Sequence, residues 1–379
     1  MKGENRELEL YVHIPFCVRK CGYCDFLSGP AEEDTRNRYL AALKQEIRQT
    51  EEAMRKRRIV SIFFGGGTPS LLTGGQLSEI LETIEENFQL EGDCEITLEA
   101  NPGTLEREKL LQCRRAGFNR ISLGCQSTED QELRKLGRIH TYGEFLESFR
   151  LSREAGFQNV NVDLMSGLPG QTLLSWETSL RRVAGMGPEH ISAYSLILEE
   201  GTPFWEKKET LALPDEETER RMYERTEEIL GEYGYGQYEI SNYARKGYQC
   251  RHNLGYWTGR EYLGLGLGSA SLWEHRRFRN TDRMEEYLEA GGRPEEIRRE
   301  EERLTAEDEQ AEYMILGLRL TDGISLDEFR ATFGKEAEEI WPGVLERYEA
   351  WGLLEKKSGR LRFTRRGISL SNVVLAEFL

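Results

Sequence analysis

The sequence predicts an α/β fold on a mostly parallel sheet, open or curled into a partial barrel, followed by a small C-terminal winged-helix-like domain. Three observations carry that prediction. Extended apolar segments alternate with helical patterns through the first two hundred or so residues. Polar or glycine-rich residues stand just after those segments, where open and barrel-shaped parallel sheets bind ligands. The last part of the chain reads as short helices and then a hairpin.

The extended segments are Leu8 to Phe16, Ile59 to Phe64, Cys94 to Ala100, Arg120 to Cys125, Val160 to Leu168 and His190 to Leu198. Helical patterns separate them at Asn37 to Met54, Gln76 to Phe88, Leu105 to Ala116, Tyr142 to Ala155 and Trp176 to Met186. Six β/α units imply parallel strands, because a strand, a crossover helix and a second strand bring the two strands into one direction. The charged pattern from Pro214 to Gly231 reads as a helical insertion beyond the barrel, and Arg276 to Glu301 as a charged stretch ahead of the second domain. Between Thr305 and Leu379 three short helices precede Leu353 to Phe363, where Ser358-Gly359 suits a tight turn. The expected division is 1–210 for the barrel, 211–300 for a barrel extension and 301–379 for the winged-helix-like domain.

Composition narrows the function. The 379 residues carry 67 acidic and 51 basic side chains, a formal charge of -16 that repels nucleic acid and anionic lipid, so neither is an expected partner. No apolar run approaches the roughly 18 residues of a membrane span. Met1 to Leu10 has five charged residues and no apolar stretch, which argues against a secretory signal and predicts a soluble, cytoplasmic chain.

Seven cysteines are present, and Cys17, Cys21 and Cys24 fall within eight positions. Spaced four and three apart, they let one loop wrap a corner of an iron–sulfur cubane and leave one iron without a protein ligand. A structural zinc site takes four protein ligands, and no fourth Cys or His follows at zinc-finger distance. Cysteines buried in a core are the plain alternative, which a polar, glycine-containing loop disfavours. The run Gly65-Gly66-Gly67-Thr68-Pro69 lets backbone approach a ligand, although a tight turn explains a bare glycine run about as well.

Cys-x3-Cys-x2-Cys with Tyr23 before the last cysteine resembles the radical S-adenosylmethionine superfamily. The resemblance extends from Glu9-Leu10-Tyr11-Val12-His13-Ile14-Pro15-Phe16 through the glycine run to Asp163-Leu164-Met165-Ser166-Gly167-Leu168-Pro169-Gly170, in the manner of the oxygen-independent coproporphyrinogen dehydrogenase branch. It implies a TIM-like partial (β/α)6 barrel and a [4Fe-4S] cluster on Cys17, Cys21 and Cys24, with S-adenosylmethionine at the open iron. It further implies that Tyr11, Tyr23, Gly66, Gly67, Thr68, Glu99, Gln126, Arg138 and Asp163 surround that cofactor, some of them facing a second cofactor molecule in that branch.

Two departures separate the chain from the dehydrogenase itself. That enzyme has a further cysteine two places after the third, where this chain has Phe26, and a longer segment before the cluster, where this chain has sixteen residues. With His252-Asn253-Leu254-Gly255-Tyr256-Trp257, these make the chain similar to the heme-chaperone paralogues of the branch. A histidine beside two aromatics can offer an axial ligand and an apolar face to heme, so His252, Tyr256 and Trp257 are the heme candidates. Taken without the resemblance, such a histidine is more often packed and hydrogen bonded. Cys250 is an alternative axial ligand, with a buried structural thiol as its plainer reading. The kinship implies heme as ligand, apo-hemoproteins as recipients, membrane-associated ones included, and an electron donor such as flavodoxin or ferredoxin. Coproporphyrinogen III dehydrogenation and radical methyl transfer or cyclopropanation are the competing activities, and the cofactor residues alone permit all three.

Overall fold

The computed structural model describes residues 7–379. The first six residues of the segment read as lacking a secretory signal lie outside them. Strands β1 (Glu7–Ile14), β2 (Arg58–Gly66), β3 (Gln89–Ala100), β4 (Arg120–Gln126), β5 (Asn159–Ser166) and β6 (His190–Ser195) lie parallel and in sequence order. Helices connect them, among them Glu33–Gln49, Gly74–Asn87, Arg107–Ala116, Tyr142–Glu154 and Leu173–Met186. Each expected strand and helix is present with ends displaced by a few residues.

β1 shows why the sheet forms. Leu8, Leu10, Val12 and Ile14 point to one face and are fully buried, while Glu9, Tyr11 and His13 point to the other, as the two-residue period of a strand requires. The apolar face packs under the helices. Thr73, Thr141 and Thr172 start three of these helices with capping boxes, each supplying an acceptor to a backbone N–H that the helix leaves unpaired.

Beyond β6 the sheet continues. β7 (Gly236–Gln237) and β8 (Asn242–Ala244) add antiparallel strands beside β6. β9 (Tyr262–Leu265) runs parallel to β1, and β10 (Ala270–Trp273), β11 (Arg276–Asn280) and β12 (Arg298–Arg303) follow antiparallel at that edge. The twelve strands form an open sheet with β12 and β7 at its ends, a partial barrel. The pattern read as an insertion is helix Glu216–Glu232, and it belongs to the outer layer: Trp176 donates its indole N–H to Thr226 Oγ1 at 2.9 Å, and Met222, Ile229 and Leu230 join the main core. The charged stretch from Arg276 belongs to the same sheet, because it supplies β11 and β12.

A second core gathers Met314, Leu318, Phe329, Leu345, Tyr348, Leu361 and Val374. Four helices, the third a single turn, precede the hairpin of β14 (Leu354–Lys357) and β15 (Arg360–Phe363); β13 (Ile324–Ser325) completes its sheet. Ser358 and Gly359 both take positive φ, as the two-residue turn demands. This unit meets the barrel where Glu239 bridges to Leu320 and Thr321 donates its N–H to the Tyr238 carbonyl at 3.1 Å.

Candidate functional site

Cys17, Cys21 and Cys24 stand on the loop between β1 and helix Glu33–Gln49. Cys17 N–H donates to Gly29 O at 2.9 Å and Cys24 N–H to Cys21 O at 3.3 Å, which folds the loop back on itself. The three thiols are half-buried, whereas Cys94, Cys113, Cys125 and Cys250 are buried. They line a cavity of about 330 Å³ at the C-terminal ends of the parallel strands, together with Tyr23, Gly66, Gly67, Thr68, Glu99, Gln126, Arg138 and Asp163. Tyr11 lines a second, inner cavity directly behind it.

The glycines at the cavity wall are there for space. Gly66 has φ +106°, and a Cβ on it would stand 2.5 Å from the His13 ring. A Cβ on Gly67 would meet the carbonyl oxygens of Phe16 and Ile14 at 2.7 and 2.9 Å, contacts that backbone cannot relieve. Gly66 N–H is turned to Glu99 Oε2 at 3.2 Å. Gln126 ends β4 with φ 67°, a left-handed conformation that few side chains adopt and that concentrates at functional sites.

Arg138 reaches across the cavity floor. It donates to Gly124 O at 2.9 Å and to Asn101 Oδ1, and approaches Cys21 Sγ at 3.9 Å, while its buried Nε has no partner. Thr68 Oγ1 lies 3.4 Å from Cys17 Sγ and accepts from Asn101 Nδ2 at 2.7 Å. Opposite, burial and then the neighbouring Asp163 push the Glu99 carboxyl up to about 8. Burial also raises Asp163, against hydrogen bonds from Ser122 at 3.0 Å and Asn161 at 2.7 Å. Two buried carboxyls held toward their neutral forms are poised to ionise against a cation.

The donor set fits an iron–sulfur cluster with S-adenosylmethionine. Three thiols from one loop share one open cavity, backbone without side chains lies beside them, and acidic groups able to face an ammonium or a sulfonium stand opposite.

The heme candidates do not stay together. His252 lies on helix Arg251–Trp257, is 3% exposed, and has both ring nitrogens engaged, Nδ1 with Ser61 Oγ at 2.9 Å and Nε2 with Tyr256 OH at 3.1 Å. Its ring stacks on Phe63 with centroids 5.2 Å apart. Burial, then Arg120 and Arg260, lower its pKa to about 3, so the imidazole is neutral; Glu9, whose Oε2 lies 3.8 Å away, is itself pushed up to about 8 by burial. Tyr256 shares the inner cavity. Trp257 turns away and lies under the Arg319 guanidinium, 5.4 Å from the ring centroid. Cys250 bonds to Glu95 Oε1, and burial pushes its thiol up to about 12, the behaviour of a structural cysteine.

Sequence reasoning passed over Tyr194 and Arg120, and placed Asn101 at the rim without giving it a role. Asn101 follows Glu99 in the polar run after β3 and joins Thr68 to Arg138. Arg120 opens β4, where Arg120 and Ser122 alternate with the apolar Ile121 and Leu123 and so mark the inner face.

Residues 11–183 match the model of the radical SAM superfamily and residues 304–370 that of the HemN C-terminal domain. The Bacillus subtilis (strain 168) protein named heme chaperone HemW is 37% identical over 97% of this chain and 98% of its own length. The Escherichia coli (strain K12) protein of the same name is 36% identical, with 98% of each covered. Among solved structures, coproporphyrinogen III oxidase (HemN) from Escherichia coli superposes with a TM-score of 0.87 at 24% identity, covering 100% of this chain and 91% of that one, which shows the shared fold. Full-length similarity at this level places the chain in the HemW family of the radical S-adenosylmethionine superfamily, to which it belongs.

Proposed function

We propose that this chain is a heme chaperone that binds heme and passes it to apo-hemoproteins, and that it carries a [4Fe-4S] cluster and S-adenosylmethionine in the cysteine cavity. One observation supports the cofactor assignment above others: the three thiols line a single cavity with eight of the nine residues expected around the cofactor, and Tyr11 stands just behind. Cys17, Cys21 and Cys24 each hold one iron. Gly66 and Gly67 admit the methionine end, Glu99 and Asp163 balance its positive charges, Tyr23 offers an aromatic surface, and Thr68, Gln126 and Arg138 orient polar groups. When bound, the cluster supplies an electron to the sulfonium, and a flavodoxin or ferredoxin is the class of donor that restores it.

Heme binding rests on kinship with the proteins named heme chaperone HemW. Phe26, 63% exposed at the cavity mouth, stands where the dehydrogenase itself has a further cysteine, which favours the chaperone over the dehydrogenase. His252 is the candidate axial ligand, and it serves only by giving up its bond to Ser61 or Tyr256. Residues 1–210, 211–300 and 301–379 act in this reading as cofactor unit, extension and contact unit for recipients, in the cytoplasm. Among the described residues no helix is long and apolar enough to cross a membrane, so a membrane-bound recipient has to be met from the water side.

The test titrates hemin into the cluster-loaded protein and separately supplies coproporphyrinogen III, reductant and S-adenosylmethionine. A saturable Soret band without protoporphyrinogen formation is expected. Absence of saturable binding, or appearance of protoporphyrinogen, refutes the chaperone reading. Identical spectra for wild type, His252→Ala and Cys250→Ala remove the heme ligand from this helix.

A further inference from the structure

Asn101 joins the surroundings of two cysteines through partners on either side of its amide. It follows β3, and both of its backbone groups are fixed: the N–H donates to Ser70 Oγ at 3.2 Å, and the carbonyl accepts from the Thr104 hydroxyl at 2.7 Å. Lys109 ties those two partners together, donating to Ser70 O at 2.7 Å and to Thr104 O at 2.8 Å. Held in this way, Asn101 lines the cysteine cavity between Thr68 and Arg138. Gly124 leaves the space this takes, since a Cβ on it would stand 3.0 Å from Arg138 Nη2 and 3.1 Å from Asn101 Oδ1.

The amide has one workable orientation. A guanidinium carries donors only, so the atom that meets Arg138 Nη2 must be Oδ1, and Nδ2 is left to donate to Thr68 Oγ1 at 2.7 Å. The Thr68 oxygen accepts that bond, and its own hydrogen is free for Cys17 Sγ at 3.4 Å. On the other side Arg138 Nη1 lies 3.9 Å from Cys21 Sγ. A cysteine that holds a metal does so as the thiolate, which has no proton to donate. Thr68 and Arg138 are then the donors, one neutral and one cationic, and a single amide holds both.

We propose that Asn101 is a positioning residue for the cluster: by fixing Thr68 and Arg138 as donors it places one hydrogen bond on the sulfur of Cys17 and one on that of Cys21, and so raises the cluster's reduction potential. Reduction adds negative charge, and hydrogen bonds to the sulfurs are among the terms that set the potential of such clusters, because a donor stabilises the more negative form. A side chain with acceptors alone would still hold Arg138, but it would draw the Thr68 hydrogen to itself and away from Cys17. The effect is to ease electron entry from the donor. This role rests on the cofactor reading, since it needs the cluster in place, and it stands with or without heme.

The test is potentiometry of the cluster-loaded protein before S-adenosylmethionine is added, read by electron paramagnetic resonance of the reduced cluster, with iron and cluster absorbance measured on each sample. Asn101→Ala should become harder to reduce while keeping its iron, its one-electron reduction constant falling at least about threefold, ~28 mV where a tenfold change is about 59 mV. Thr68→Val, which loses the hydroxyl and keeps the branched shape, should shift the same way. Asn101→Ala should have a smaller effect in the Thr68→Val background, because the two changes act on one hydrogen bond. A wild-type potential in Asn101→Ala overturns the proposal whether iron content is full or reduced, since a packing role alone would lower loading without moving the potential of the cluster that remains. Strict additivity of the two changes also overturns it. Thr68→Val leaves Asn101 untouched, so it decides where Asn101→Ala takes up no cluster: a lowered potential supports the proposal and a wild-type one overturns it. A wild type that takes up no cluster would refute the cofactor reading itself, and this role would fall with it.

Discussion

The two faces of the same strands have opposite characters. On β1 and β4 the outward side chains, Leu8, Leu10, Val12, Ile14, Ile121 and Leu123, are fully buried beneath the helices. The inward ones include Glu9, Tyr11, His13, Arg120 and Ser122. Parallel barrels usually fill the interior with branched apolar side chains in layers. Here cohesion is assigned to the outside, and the inside is released to hold charge, hydrogen bonds and space. This sheet can therefore be broken chemically without unfolding, and loosened without losing its chemistry.

The largest effect belongs to the inner rim. Cys21→Ala should lose nearly all cluster iron after anaerobic reconstitution, whereas Cys113→Ala on the outer side should keep it; iron analysis and cluster absorbance check both, and full iron in Cys21→Ala would contradict the assignment. Next, Leu10→Ala on the outer face should cost about 2–5 kcal/mol in denaturant unfolding while the cluster still loads. A cost below about 1 kcal/mol would mean that the outer face does not carry the stability.

Third comes Glu99, whose carboxyl is held near 8 without ligand. A cationic cofactor favours the ionised form, so binding below that pKa releases a proton, and affinity should rise as pH goes from about 6 toward 8 and level off above. Glu99→Gln should weaken binding roughly tenfold and flatten that rise; an unchanged slope in calorimetric titrations would assign the proton elsewhere. The smallest effect should follow Thr172→Ala, which removes a capping acceptor in the outer layer and costs about 1 kcal/mol with cofactor binding intact.

What the sequence disclosed follows from range. Cys17, Cys21 and Cys24 are local, so their spacing alone predicts a shared loop, and the alternation along β1 predicts both of its faces. β3 starts at Gln89, ahead of the expected Cys94, and its first residues are mostly polar and largely exposed, so they carry no apolar signal. β11 and β12 read only as a charged stretch because strands at a sheet edge are protected by charge, and Arg279 with Glu300 serves that purpose. His252 and Tyr256 are four apart on a helix and share a face, whereas Trp257 falls off it; that distinction appears only once the segment is known to be helical. Arg120 was hidden by the apolar neighbours that make β4 a strand.

Tyr238 joins two parts of the molecule with one side chain. Its carbonyl is held by Thr321 of the C-terminal unit, and its phenol oxygen lies 2.8 Å from His190 Nε2 and 3.3 Å from Asn253 Nδ2, both on the inner cavity. A pull on the C-terminal unit therefore arrives at the back wall of that chamber after crossing a single residue. The C-terminal unit and the chamber behind the cysteine cavity are mechanically in series.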